Sequence, residues 1–312
     1  MYWQIRFVFR RIIQMFPMLL VVTVLAFVLS NMSSGDAASV TIRSQGQEVT
    51  EESLSTMRGE LGLDKPLHIQ YITWLKKVLS FDFGISFQTK KPVSEEILRR
   101  FPATFKLAVT ATLFSIGFAI PAALLCVRYR NAPLDHCFRL LTAIGTTIPN
   151  FWLALILLYV FAVKFGVAPV VSGNKWENIF LPAFVLSINN GSAYIRVLRE
   201  NLIQISVSDY MYAARARGLS RFSALLRHGV KNAMLPCMTL VSVNFGKLLS
   251  GEFACETIFS WNGIGKFAVD SIQLKDLPVI QGYILIVAIT YIIINLFLDI
   301  VYVHIDPKIQ ME

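Results

Sequence analysis

Six separate stretches of this 312-residue chain are mostly apolar over the length a helix needs to cross a lipid bilayer, and no other feature restricts its fold so strongly. A helix rises about 1.5 Å per residue and must cover about 30 Å of hydrocarbon, so roughly 20 residues suffice. The stretches are Ile12–Leu29, Ala103–Val127, Phe138–Val163, Leu181–Ile205, Ala233–Gly251 and Val279–Val303. Inside hydrocarbon each backbone polar group must be satisfied within the protein, which makes helix the expected state of every stretch. The expected fold class is therefore an all-α polytopic membrane protein, with six transmembrane helices and an external helical segment between helices 1 and 2.

Composition agrees: 55% of the residues are hydrophobic and only 16% are charged. The formal net charge of +9 is read as juxtamembrane Lys and Arg that set topology, and no nucleic-acid partner is expected. Arg6, Arg10 and Arg11 precede the first stretch, Arg128, Arg130 and Arg139 lie between the second and third, and the region from Arg196 to Lys231 joins the fourth to the fifth. If the helices alternate in direction these groups share one face, which the positive-inside rule places in the cytoplasm, with both termini. The basic start could also precede a cleaved leader ending near Asp36-Ala37-Ala38, but the first apolar run exceeds the roughly 7–15 residues of a leader core. A retained helix in the cytoplasmic (inner) membrane is preferred.

The chain then divides into residues 1–30 (cytoplasmic N-terminus and first helix), 31–102 (external segment) and 103–312 (a five-helix core whose cytoplasmic connector is 206–232). In the external segment Leu61, Leu63, Leu67, Ile69, Tyr71, Ile72, Trp74, Leu75, Val78 and Leu79 predict a small helical cap on the outer mouth. Pro121 and Pro149 fall inside the second and third stretches, where a membrane bundle tolerates proline if neighbouring groups take up the freed carbonyls.

Catalytic signatures are missing. There is no G-x-x-x-x-G-K-[ST], H-E-x-x-H or G-x-S-x-G, and Gly263-Ile264-Gly265-Lys266 reads as a turn in an external loop. The cysteines Cys126, Cys137, Cys237 and Cys255 have no metal-site spacing, and the histidines are scattered. Ion-coupled carriers place ionisable residues within their helices, whereas Lys247 and Asp299 here sit near span ends. No catalytic residue, cofactor or metal ligand is assigned, and uphill movement of a solute would draw on a separate subunit.

The connector DYMYAARARGLSRFSALLRHGVKNAMLP, from Asp209 to Pro236, is basic and partly amphipathic. Asp209 is expected to cap a helix over Tyr210–Arg217, Gly218 to end it in the left-handed conformation with Leu219 following, and Ser220 to start a second helix. Phe222, Leu225, Leu226 and Val230 recur at helical spacing along that second piece. One reading is a basic helix lying on anionic lipid. That reading leaves the small residues Ala213, Ala214, Ala216 and Gly218 unexplained.

Tyr212-Ala213-Ala214-Arg215-Ala216-Arg217-Gly218 followed by Lys231-Asn232-Ala233-Met234-Leu235-Pro236 resembles the cytoplasmic "EAA" loop of ABC-importer permeases of the peptide/nickel branch, with Tyr212 in place of the naming Glu. The resemblance spans nearly the whole chain. Leu61-Gly62-Leu63-Asp64-Lys65-Pro66-Leu67, Asp82-Phe83-Gly84-Ile85-Ser86, Arg100-Phe101-Pro102-Ala103-Thr104, Asp276-Leu277-Pro278 and Asp306-Pro307-Lys308 look like motifs of that branch. So does Glu256-Thr257-Ile258-Phe259-Ser260-Trp261-Asn262-Gly263-Ile264-Gly265, with Asn262 where the branch usually has Pro.

The resemblance implies a heteromeric importer: a second homologous permease subunit, two cytoplasmic ATPase subunits that bind ATP and Mg, and an extracytoplasmic solute-binding protein. Tyr212, Ala213, Ala214, Arg215, Arg217, Gly218 and Leu219 would then form the ATPase-coupling surface, with the Ala, Gly and Leu residues as its core and the Arg residues on its rim. Thr146, Thr147, Asn150, Asn189, Asn190 and Ser192 would line the translocation path, against the alternative that they join helices by hydrogen bonds. The branch carries peptides, nickel or chelated nickel, and phrases such as Pro149-Asn150-Phe151-Trp152-Leu153 lean towards nickel. Two other classes stay open: a passive channel or ion-coupled carrier, and a membrane-anchored sensor whose external segment binds a ligand.

Overall fold

A computed structural model describes residues 2–32, 37–44, 46–167, 169 and 178–305. The terminal Asp306-Pro307-Lys308 and Asp36 of the leader reading lie outside them. Helices α1 (Tyr2–Met32), α2 (Ala37–Ser44), α3 (Glu51–Leu61), α4 (Leu67–Leu79) and α5 (Val93–Arg128) come first. They are followed by α6 (Pro133–Thr147) and by α7 (Asn150–Leu158), which runs into a π-helical segment, Tyr159–Lys164. Next are α8 (Phe180–Ser206), α9 (Asp209–Ala216) and α10 (Arg221–Ala224), a π turn at Leu225–Gly229, and α11 (Val230–Leu249). Helices α12 (Phe253–Ile258), α13 (Ile264–Gln273) and α14 (Leu277–Ile305) complete the chain. An isolated antiparallel bridge between Ile85 and Pro92 is the one β-type pairing among the described residues.

Each apolar stretch is mainly helical, the third in two pieces, and α5 and α14 are each long and apolar enough to cross a membrane. Helix α5 begins at Val93 rather than at Ala103, because Pro92 fixes an extended entry and Glu95 and Glu96 sit in the first turn, where carboxylates favour the helix N-terminus. Helices α5 and α8 form the centre. Ala108, Ala111, Ser115, Ala119 and Ala123 of α5 are buried with Ala183, Ser187 and Gly191 of α8, and a Cβ on Gly191 would lie 3.5 Å from the Ser115 backbone. Small residues permit that approach, which supplies the packing that holds helices together where lipid removes the hydrophobic drive.

The two prolines inside apolar stretches behave differently. Pro121 leaves α5 continuous, whereas the third stretch breaks at Pro149, and α6 and α7 are bent by 103°. Ile148 is extended (ψ 126°), as a residue before proline prefers, and Pro149 continues extended (ψ 134°). The third stretch is thus two helices at an angle, and only together do they reach the length of a span.

The cap formed by α3 and α4 leans against the bundle, with no buried residue in either helix. Thr50 and Ser53 form a reciprocal cap at the start of α3, and Gly62 ends it at φ +67°. On α4 the Tyr71 hydroxyl lies 2.9 Å from the Thr23 hydroxyl of α1, Trp74 Nε1 donates to Gln281 Oε1 of α14 at 3.1 Å, and Val78 packs beside them. Leu61, Leu67, Ile69, Ile72 and Leu79, read from the sequence as part of the packed pattern, are exposed.

Candidate functional site

The connector between α8 and α11 is built by local signals. Ser208, and not Asp209, is the residue before α9, and its hydroxyl donates back to the Ile205 carbonyl at 2.7 Å. Asp209 opens the helix instead, where its charge suits the N-terminal dipole. At the other end Gly218 N–H donates to the Arg215 carbonyl (3.0 Å) and Leu219 N–H to the Ala214 carbonyl (3.3 Å), with Gly218 at φ +89°. This pair of bonds is the Schellman arrangement, and it needs a residue that tolerates the left-handed conformation. Ser220 caps α10 by accepting from Ser223 N–H at 3.1 Å. From Arg221 to Leu249 the chain stays helical through the π turn.

One face of α9 is used internally. Met211 and Ala214 are buried in a cluster with Leu202 of α8, Ala224, Leu225 and Ala233, and Leu219 packs on its edge. Tyr212, Ala213, Arg215, Ala216, Arg217 and Gly218 remain at the surface. Ala214 and Leu219, grouped by sequence with the outward contact core, therefore seat the connector on its own bundle. Asn232 Nδ2 donates to the Tyr210 hydroxyl at 3.2 Å, Asn201 Nδ2 to the Ala233 carbonyl at 3.4 Å, and the Arg128 guanidinium lies 4.8 Å from the Phe222 ring centre.

Two ends of α6 are fastened to α8. At its start Asp135, fully buried, receives both Arg199 Nε and Nη2 at 2.7 Å, together with Asn131 N–H at 3.1 Å. At the break Asn189 Nδ2 lies 3.4 Å from the carbonyls of Gly145 and Thr146. In a continuous helix the Gly145 carbonyl would accept from the N–H of residue 149, but proline has no N–H, so the Asn189 amide donates in its place. Ser192 presses on Gly145, where any Cβ would meet its hydroxyl. Thr146 and Thr147 hydroxyls bond to carbonyls of their own helix (2.9 to 3.1 Å), and Asn190 is half-buried. Thr146, Asn189 and Ser192 thus meet at the break, while Asn150 turns elsewhere, its Nδ2 donating to Glu252 Oε1 at 3.2 Å. Burial pushes the Glu252 carboxyl above its ordinary value, and the Asn150 bond opposes this.

The corner where α5, α12 and α13 meet collects motifs that lie far apart in sequence. Glu256, fully buried, accepts from Lys266 N–H (2.8 Å) and the Thr104 hydroxyl (2.7 Å), while Ile264 N–H donates to the same Thr104 oxygen at 2.9 Å. The carboxylate occupies the N-terminus of α13, where the orphan N–H groups and the dipole favour an anion. Burial raises its pKa, and these donors hold it down. The glycines serve this contact: a Cβ on Gly263 would collide with Glu256 and Thr104, and one on Gly251 would sit 2.6 Å from the Gly265 backbone. Gly263-Ile264-Gly265-Lys266 is accordingly the start of a helix closed by an internal carboxylate. Trp261 Nε1 donates to the Ala103 carbonyl at 2.9 Å, and Asp276 receives the Ser86 hydroxyl. Glu252, Asp135 and Arg199 carry no periodic or spacing signal in the sequence, and Glu256, which opens a quoted motif, gives no sign there of its partners Thr104 and Lys266.

Comparison with known proteins identifies what shares this arrangement. Residues 100–311 match the family described as binding-protein-dependent transport system inner membrane component, and residues 4–108 match the N-terminal model of such membrane components. The chain is 35% identical over 308 residues to the glutathione transport system permease protein GsiC of Salmonella paratyphi A, covering 99% of this chain and 100% of that one. To the protein of the same name from Escherichia coli K12 it is 33% identical over the same length. A solved chain of the MetNI methionine ABC transporter, in an inward facing conformation, superposes with a TM-score of 0.58 at 15% identity, covering 67% of this chain and 96% of that one, which shows a shared fold alone. The chain belongs to the binding-protein-dependent inner-membrane permeases of ABC importers, in their peptide/nickel branch.

Proposed function

We propose that this permease crosses the membrane six times with both termini in the cytoplasm, and that it forms half of a path for small peptides of the glutathione type. The solute assignment rests on the named solute of the full-length relatives and departs from the nickel leaning of the sequence motifs. Nickel is the alternative that the experiment below separates. A second permease completes the path, two ATPase subunits carry ATP and Mg, and an extracytoplasmic binding protein delivers the solute.

The observation that carries the mechanism is the continuous helical run from Arg221 to Leu249, α-helical apart from the π turn at Leu225–Gly229, joined to α9 by the Gly218 turn. Movement of an ATPase against the exposed Tyr212, Ala213, Arg215, Arg217 and Gly218 would displace a rod that reaches into the bundle as α11. Ala214 and Leu219 keep α9 seated so that the rod and the connector move together. A rigid-body change can be transmitted only by such a stiff, seated element. On the path side, the reading is supported by the meeting of Thr146 with Asn189 and Ser192 at the Pro149 break, with Thr147 beside it and Asn150 opening α7 towards Glu252. Broken helices at membrane depth are tolerated where they are buried in protein or line a wet cavity.

The test is reconstitution in vesicles of the two permeases with the two ATPase subunits, with ATP on the ATPase side and the binding protein on the other. Uptake of labelled glutathione that requires ATP and the binding protein supports the reading. Uptake of Ni²⁺ in place of glutathione would reassign the solute, and flux through this chain alone would replace the importer by a channel.

A further inference from the structure

The carboxylate of Glu252 lies beside the break in the third span, next to Asn150, the first residue of α7. Among the described residues it receives one side-chain hydrogen bond, from Asn150 Nδ2 at 3.2 Å, and takes part in no ion pair. The other end of the same amide, Asn150 Oδ1, is buried with no hydrogen-bond partner. The fully buried acids differ from the half-buried Glu252: Asp135 is closed by Arg199, Glu96 by Arg99 and Arg100, Glu256 by the N-terminus of α13 and Asp276 by Ser86 and Gln88. A half-buried carboxylate that no cation neutralises, beside a buried amide oxygen with no donor at a helix break, leaves a place that a positive group would fill.

We propose that Glu252 and Asn150 form a transient station for the positively charged group of the solute as it passes the break. This rests on the path assigned under the proposed function and adds what that path recognises. The shared chemistry is a desolvated cation, which is either the α-ammonium of a peptide or a divalent metal ion. The charged group facing this pair from α12 is Glu256, whose bonds to α13 and Thr104 occupy it. Cys255, buried on the same helix, carries no charge, since burial holds its thiol protonated.

A competing arrangement has Glu252 neutral, its own proton satisfying Asn150 Oδ1. Burial of the carboxyl favours the neutral form, so the two must be told apart by experiment. The complex reconstituted as above is compared as wild type, Glu252→Gln, Glu252→Asp and Asn150→Ala, with labelled glutathione and with ⁶³Ni²⁺ as probes. Co-purification with the ATPases and solute-stimulated ATP hydrolysis are recorded for each variant. The expected result is that Glu252→Gln assembles normally but loses about tenfold or more of the uptake of whichever probe the wild type carries, with ATP hydrolysis retained. Glu252→Asp restores most of that uptake, and the probe that is lost identifies the source of the cation. Uptake unaltered in Glu252→Gln would overturn the station and favour the neutral pair. Equal loss in Gln and Asp variants would also overturn it, by showing a role in packing. Absence of ATP-dependent uptake of both probes by the wild type would refute the proposed function and the station with it, an outcome distinct from a wild type that transports and a variant that transports equally.

Discussion

The Ser86 hydroxyl donates to Asp276 Oδ2 at 2.6 Å across 190 residues of sequence, and this bond joins the segment between α4 and α5 to the head of α14. Gln88 N–H reaches the same oxygen at 3.1 Å, and a Cβ on Gly84 would lie 3.6 Å from Pro278. The motifs Asp82-Phe83-Gly84-Ile85-Ser86 and Asp276-Leu277-Pro278 are thus two sides of one contact. Ser86→Ala removes a charge-assisted bond from a carboxylate that is 1% exposed, and the permease should lose about 2 kcal/mol of stability. Thermal unfolding in detergent checks this, and limited proteolysis should cut the 86–91 turn faster in the variant.

Asp135 and Arg199 should show the cost of breaking a buried pair. Arg199→Ala leaves a fully buried carboxylate with only the Asn131 N–H, and the expected loss is about 3–5 kcal/mol. The double change Asp135→Asn with Arg199→Gln, which leaves no charge behind, should be milder than Arg199→Ala alone. Chemical denaturation of the purified permease measures the order, and the reverse order would remove the pair from its role as the clamp of α6 on α8.

Gly218 faces open space at φ +89°, so a side chain there meets no atom of this chain. Gly218→Asp should cost the isolated permease about 1–2 kcal/mol through backbone strain, and should abolish capture of the ATPases in pull-down. Capture at the wild-type level would show that the turn is not part of the coupling surface.

Pro149→Ala returns an N–H that can satisfy the Gly145 carbonyl, and it should favour a straighter connection between α6 and α7. ATP-dependent uptake should fall while assembly with the ATPases persists. Asn189→Ala, which strips the substitute donor from the same carbonyl, should instead lower stability by about 1 kcal/mol. Spin labels on α6 and α7 would read the angle directly in both variants.

Glu256→Ala leaves two donors facing an empty space, namely Lys266 N–H and the Thr104 hydroxyl. The expected loss is about 3 kcal/mol, with Glu256→Gln losing less because one oxygen still accepts. Differential scanning fluorimetry in detergent ranks the two.

The sequence by itself determined the helical content, the six apolar stretches and the family, and it placed the Gly218 turn and the Ser220 cap where the structure has them. Those features arise within a few residues: helical periodicity, a hydroxyl within reach of an N–H three positions on, a glycine free to take positive φ. Tertiary structure decided which of two prolines breaks its helix, that Ala214 faces inward while Ala213 faces out, that Ser208 rather than Asp209 precedes α9, and that Glu252, Glu256 and Asp276 are drawn to partners far along the chain. Ala213 and Ala214 are chemically identical, and Pro121 and Pro149 carry the same missing donor. Only the position of neighbouring helices distinguishes them, because burial and the satisfaction of a polar atom belong to the packed arrangement and not to the residue.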